Sequence, residues 1–182
     1  GLVGSEMCIR DRLSIGKVKC FYGNFLVALR AAVYIDTLGA EGIKDAAQKA
    51  VLNANYLMEG LKEFYPVAYD RVCMHEFVLT LENLKHEKGV SAMDVAKAML
   101  DYGIHPPTMY FPLIVHEDLM FEPTETETKE TLDEAIRVLG EIRQIAEKDA
   151  QSLHEAPHKT IIGRVDEVRA ARQPVLKYAF ND

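Results

Sequence analysis

The sequence predicts a two-layer α+β fold: helices, a small and mainly antiparallel sheet, then helices again. Three stretches carry that expectation. Apolar residues recur at steps of three and four between Ile43 and Phe64, they alternate at a period of two in "HEFVLTL", and the helical stripe returns between Leu132 and Ala146.

The chain has 182 residues, 48% of them hydrophobic and 27% charged, which is long and apolar enough for a real core. Its formal charge of −7 and lack of a basic stripe argue against a nucleic-acid partner. The three cysteines, Cys8, Cys20 and Cys73, form no Cys-x-x-Cys pair and are too scattered for a disulfide framework. That usage fits reduced thiols in a cytoplasmic compartment. The longest apolar run, "FLVALRAAVYI", is far shorter than the ~20 residues of a membrane span. "GLVGSEMCIRDR" lacks the apolar core of a secretory signal.

In chain order, Phe25 to Ile35 is apolar nearly all round, which on a helix means burial on most sides. Arg30 within it needs a partner under that expectation, either an ion pair or a substrate carboxylate. Ile43, Ala47, Ala50, Ala54, Leu57, Leu61 and Phe64 form one stripe of a long helix that Tyr65-Pro66 ends. A strand follows, with Phe77, Leu79 and Leu81 on one face. Ser91 and Asp94 have capping-box spacing, Val95, Ala96 and Met99 share a face, and Gly103 sits where a helix stops. His105-Pro106-Pro107 runs extended or turns. "LIV" (113–115) and "LMF" (119–121) are expected as two strand pieces or a hairpin. Leu132, Ala135, Leu139, Ile142 and Ala146 line the last long helix, and a polar tail from Pro157 carries a helical piece near 165–171.

Two places could carry chemistry. His105 is either a turn histidine bonded to backbone or, with Thr108, part of a loop that two prolines hold rigid against a pocket. The run "EPTETE" (122–127) reads by spacing as a helix start, with Thr124 and Glu127 as a capping box and Thr128 and Thr131 in a polar first turn. Histidine spacing gives no metal site, and there is no glycine-rich phosphate loop.

"GKVKCFYGNFLVALRAAVYIDTLGAEGIKDAAQKAVLNANYL", "MHEFVLTL", "LDYGIHPPTMYFPLIVHEDLMFEPTETETKETLDE", "EAPH" and "RQPVLKY" together resemble the C-terminal portion of the glycine cleavage system P-protein. The closest form is the second subunit of the split, two-chain version. The resemblance runs from about Ile15 to Tyr178, and "HPPTMYFP" and "EPTETE" are its most specific motifs.

It implies the small C-terminal domain of an aspartate-aminotransferase-type (fold type I) pyridoxal 5'-phosphate enzyme. It also implies decarboxylation of glycine and transfer of the aminomethyl group to the lipoyl arm of H-protein. The implied partners are glycine, lipoylated H-protein and another P-protein subunit or large domain, in a homo- or hetero-oligomer. The implied organisation is a non-native or unstructured leader at 1–13, an interdomain helix at 14–40, the small domain at 41–156 and a tail at 157–182.

By motif, Tyr22, Gly23 and Asn24, with Arg30 further on, belong to the interdomain helix. His105, Pro106, Pro107 and Thr108, with Glu122, Thr124, Glu125 and Thr126, are the active-site wall, the surplus acids being supports rather than catalysts. The family's Schiff-base lysine lies in a His-Lys pair upstream of the resemblance. The His-Lys here, His158-Lys159, is in the tail, so the expectation is a fragment that does not turn over alone. The rival expectation is a non-catalytic interaction domain that docks a partner subunit or H-protein. A third, the small domain of another pyridoxal-phosphate enzyme, is disfavoured by "EPTETE".

Overall fold

The computed structural model describes residues 23–177 and Phe180, which divide into two compact units at Ile43/Lys44. Helix α1, Phe25–Leu61, spans the division and contains one non-helical residue, Gly39, at φ 62° and ψ −177°. Only glycine occupies that backbone region without a Cβ penalty.

In the first unit, Gly23 and Asn24 precede the helix, and Asn24 Oδ1 accepts a hydrogen bond from the Val27 N–H at 3.4 Å, an N-cap. Tyr22 lies outside the described residues, as do Cys8 and Cys20. Nothing among the described residues buries the apolar run. Phe25, Leu26, Val33 and Ile35 are 73, 72, 58 and 52% exposed. Arg30 is exposed and has no ion pair among the described residues, because no low-dielectric surrounding demands one.

The second unit is the α+β domain. From Lys44 the α1 stripe narrows to its last two turns, where Ala54, Leu57, Met58 and Leu61 are buried. Ile43 and Ala47, read as part of the same stripe, are exposed. The helix ends at Leu61, a turn before Tyr65-Pro66, with the N–H groups of Phe64 and Tyr65 both donating to Leu61 O. Tyr65 itself is buried and donates its hydroxyl to Leu139 O at 3.0 Å.

Strand β1 (Phe77–Thr80) buries Phe77 and Leu79, and Leu81 just past its end, as its alternation predicts. Its outer edge is covered by chain 66–68, where Ala68 N–H donates to Val78 O and Thr80 N–H to Pro66 O. Helix α2 (Glu82–Lys88) closes on Gly89 at φ 75°, a left-handed C-cap. Helix α3 (Ala92–Leu100) has the reciprocal capping box: Ser91 Oγ accepts from Asp94 N–H, and an Asp94 carboxylate oxygen accepts from Ser91 N–H.

The three-stranded antiparallel sheet has the order β1-β3-β2, with β2 Thr108–Met109 and β3 Asp118–Phe121. Phe77 faces Phe121 across β1 and β3, and their rings stack with centroids 5.5 Å apart. The partner of "LMF" is therefore Thr108–Met109, and "LIV" is a turn rather than a strand. Pro112 supplies no N–H for a ladder. Tyr110 and Glu117 hold positive φ at the two ends of the loop, which leaves Leu113 and Ile114 81 and 78% exposed.

Helix α4 (Lys129–Lys148) buries Leu132, Val138, Leu139, Ile142 and Ala146, with Ala135 half-buried. Its N-cap is Thr128, whose hydroxyl accepts from Thr131 N–H, one turn later than the expected Thr124. Thr124 instead opens a separate turn in which Glu127 N–H donates to Thr124 O. Helix α5 (Ala150–Glu155) follows, and α6 (Glu167–Arg172) gives the tail its helical piece. Arg164 ties that tail to α3 by a 2.7 Å ion pair with Asp94, which also faces His154 Nδ1 at 3.2 Å. Burial raises the Asp94 carboxyl, but hydrogen bonds from Ser91 and the Arg164 guanidinium outweigh it and hold the group below its ordinary value.

Candidate functional site

The sheet order brings together two segments that are distant in sequence. The loop after α3 runs from Gly103, at φ 73°, through Ile104 and His105-Pro106-Pro107 into β2. The chain leaving β3 passes through Glu122 and Pro123 toward α4. Because β2 pairs with β3 (Thr108 with Met120), both segments open on one groove of about 740 Å³. Glu127, just before α4, and Glu130, Leu132 and Glu134 in its first turns also line it.

His105, Pro106, Pro107, Thr108 and Glu122 all line this groove. His105, Thr108 and Glu122 are exposed, while the two prolines are half-buried and fix the loop's backbone. Thr124, Glu125 and Thr126 do not line it. Their segment is a turn anchored to α1, with Asn53 Nδ2 donating to Thr124 O at 2.8 Å and Glu127 O at 3.1 Å. Thr124 and Thr126 pair their hydroxyls at 2.7 Å, and Glu125 is half-buried. Gly23, Asn24 and Arg30 belong to the other unit.

The rim is carboxylate-rich. Glu122, Glu127, Glu130 and Glu134 line the groove together with His105, and among the described residues no lysine or arginine does. Glu134 is neutralised by the guanidinium of Arg137. Glu122 has His75 Nε2 at 3.9 Å, and Glu127 accepts from the Thr131 hydroxyl at 2.8 Å. The Glu130 carboxyl is lowered by its own backbone N–H and then by Thr128, as an acid in the first turn of a helix should be. The floor is apolar: Leu57, Ile104, Phe121 and Leu132, with Met120 at one end.

Sequence reasoning missed the α4 wall. Glu130 and Glu134 stand four residues apart and so share a helix face, a signal present in the sequence. That this face meets the His105 loop depends on strand order, which no local pattern encodes.

This donor set can hold and shape a ligand's surroundings. It does not fit pyridoxal phosphate as a resident group. A dianionic phosphate would meet carboxylates, and no lysine among the lining residues could form an imine. Among the described residues no cluster of three or more metal-ligating side chains occurs, and no helix is long and apolar enough to cross a membrane.

Comparison with known proteins follows the same segments. The family model described as glycine dehydrogenase, C-terminal domain, matches residues 46–161. A probable glycine dehydrogenase (decarboxylating) subunit 2 of Treponema denticola is 62% identical over 165 residues, covering 91% of this chain and 34% of the relative. The corresponding subunit of Caldanaerobacter subterraneus subsp. tengcongensis is 58% identical, again over 91% of this chain and 34% of the relative. A crystal structure of glycine decarboxylase (P-protein) of the glycine cleavage system, in inhibitor-bound form, superimposes with a TM-score of 0.57 at 26% identity. That match covers 68% of this chain and 28% of the other. The chain thus spans about a third of the length of the curated relatives it matches.

Proposed function

The chain belongs to the family of the glycine dehydrogenase C-terminal domain, and from that premise we propose that it is the C-terminal portion of a pyridoxal-phosphate-dependent glycine decarboxylase. Its part is a wall of the active site. The cofactor supplies the electron sink for loss of the carboxylate and is held by sequence outside this chain. The His105–Thr108 loop positions and encloses the substrate, since two prolines fix the backbone and lower the ordering cost of closing a site. The observation that carries this reading is the convergence of that loop and Glu122 on one groove. Glycine, lipoylated H-protein as acceptor of the aminomethyl group, and a second subunit or large domain as structural partner complete the reading. Absence of turnover by the chain alone and a cytoplasmic setting are parts of it.

The test is a chimera in which this chain replaces the matching third of the Treponema denticola subunit. The chimera, assembled with its partner, should release CO2 from carboxyl-labelled glycine. His105→Ala and Thr108→Ala should each lower that rate about ten- to a hundredfold with assembly intact, the range expected when positioning is lost. A second reading, a docking domain without a role at the active site, draws on the exposed apolar residues between Phe25 and Ile35. Normal activity per assembled complex in both variants, with assembly impaired, would favour it.

A further inference from the structure

The His158-Lys159 pair of the tail has no part in the proposed reaction, yet its two backbone N–H groups converge on one carboxylate. Asp101, the C-cap of α3, accepts from His158 N–H with both carboxylate oxygens at 2.8 Å and from Lys159 N–H at 2.6 Å. The imidazole turns back to α5, where His158 Nε2–H donates to Ser152 O at 2.8 Å. The Lys159 ammonium lies 5.2 Å from the centre of the Tyr102 ring, a cation–π contact. Five residues after Lys159, Arg164 pairs with Asp94 in the first turn of α3. Residues 158–164 thus tie down both ends of that helix.

The end held by His158 and Lys159 is the one that leads into the groove. Tyr102, Gly103 and Ile104 follow Asp101 directly and line the groove ahead of His105. Gly103 N–H donates to Leu100 O at 3.0 Å and Ile104 N–H to Met99 O at 3.2 Å, so the root of the loop is built on the last turn of α3. Hydrogen bonds to a carboxylate are stronger than neutral ones, and the clasp adds that restraint to the turn. We propose that Asp101, clasped by the His158-Lys159 backbone, is a positioning residue for the groove: the tail is a strap across α3 that holds the His105–Thr108 loop in place. Its effect on turnover rests on the active-site-wall reading, while the strap itself is tested without turnover.

Amide hydrogen exchange of the full chain reads the strap. In Asp101→Ala the amides of His158, Lys159, Gly103 and Ile104 should exchange about tenfold faster, the size expected for lost hydrogen bonds to a charged group, with Leu139 and Ile142 of α4 within about twofold. Lys159→Met keeps the backbone clasp but removes the ammonium from Tyr102, and should speed Gly103 and Ile104 about threefold. Lys159 is exposed, so this variant decides the matter if Asp101→Ala does not fold. Unchanged exchange at Gly103 and Ile104 in either variant, or equal acceleration in α4, would overturn the proposal.

In the assembled chimera, Asp101→Ala should raise the KM for glycine about tenfold, and Asp101→Asn, which keeps one acceptor oxygen, should recover part of that. A fall in kcat alone with KM unchanged, the mark of a smaller folded fraction, would also overturn the positioning role. A chimera inactive toward glycine with Asp101 in place, beside the expected exchange pattern, would sink the functional reading and leave the strap standing.

Discussion

Helix α4 and the first three turns of α1 are both long and both rich in aliphatic residues, yet they end in opposite situations. In α4, Leu132, Val138, Leu139, Ile142 and Ala146 are almost wholly buried, and the charged residues between them face water in ion pairs such as Lys129 with Asp133. In residues 25–35 the aliphatic side chains surround the helix, and all of them are exposed. An apolar stripe can be satisfied by one neighbouring layer, and this chain contains that layer. An apolar surface on every side cannot, and the described residues provide no cover for it. The difference separates residues that stabilise the chain from residues that await another surface.

The largest test of that separation is a pair of truncations. Leu139→Ala should cost about 2–5 kcal/mol in urea unfolding, because the cavity is enclosed by fully buried neighbours. Leu26→Ala should cost less than about 0.5 kcal/mol, since the side chain is 72% exposed. Comparable losses at the two sites would erase the contrast.

A smaller effect probes how closely α4 is packed. A Cβ added at Gly140 would lie 2.9 Å from the Phe64 ring, with two more ring atoms within 3.2 Å. Gly140→Ala should therefore destabilise by about 1–3 kcal/mol despite alanine's better helix propensity. An increase in stability would mean that the ring moves aside freely.

A weaker effect of opposite sign comes from Asp118, the place where the domain's interior works against its own stability. Both carboxylate oxygens are buried, with no well-formed hydrogen bond among the described residues and only weak backbone N–H contacts from Asp118 and Phe111. Burial pushes this carboxyl above its ordinary value, so the protonated form is favoured in the fold. The stability it contributes is full below the unfolded value near about 4 and is lost as pH rises through the higher folded value. Asp118→Asn should accordingly raise stability at pH 7 by about 1 kcal/mol, with the gain shrinking at about pH 4. A gain that is independent of pH would show that the charge is not its cause.

How much was legible in the sequence follows the same division between local and non-local causes. The strand at Phe77–Thr80 and the cap of α3 were readable because alternation and the Ser91–Asp94 spacing act within a few residues. "LIV" misled because an apolar triplet exposed in a turn looks like a strand until its partner is known. Thr124 and Thr128 both offer a cap. The choice fell to Thr128, the residue that places Leu132 and Leu139 in the core. At the candidate site, the His105 loop and Glu122 were named from motifs and Glu127 was read only as a helix cap, while Glu130 and Glu134 were not named. Strand order brings those acids to the loop, and the sequence separations involved are too long for any periodicity to report.

The most direct test of the claim that residues 25–35 await another surface is sedimentation velocity of the chain alone, beside Val33→Ser/Ile35→Ser. The account predicts concentration-dependent association for the natural chain, a marked reduction in the double variant, and the same urea midpoint for both. A natural chain that sediments as a monomer at every concentration would contradict it.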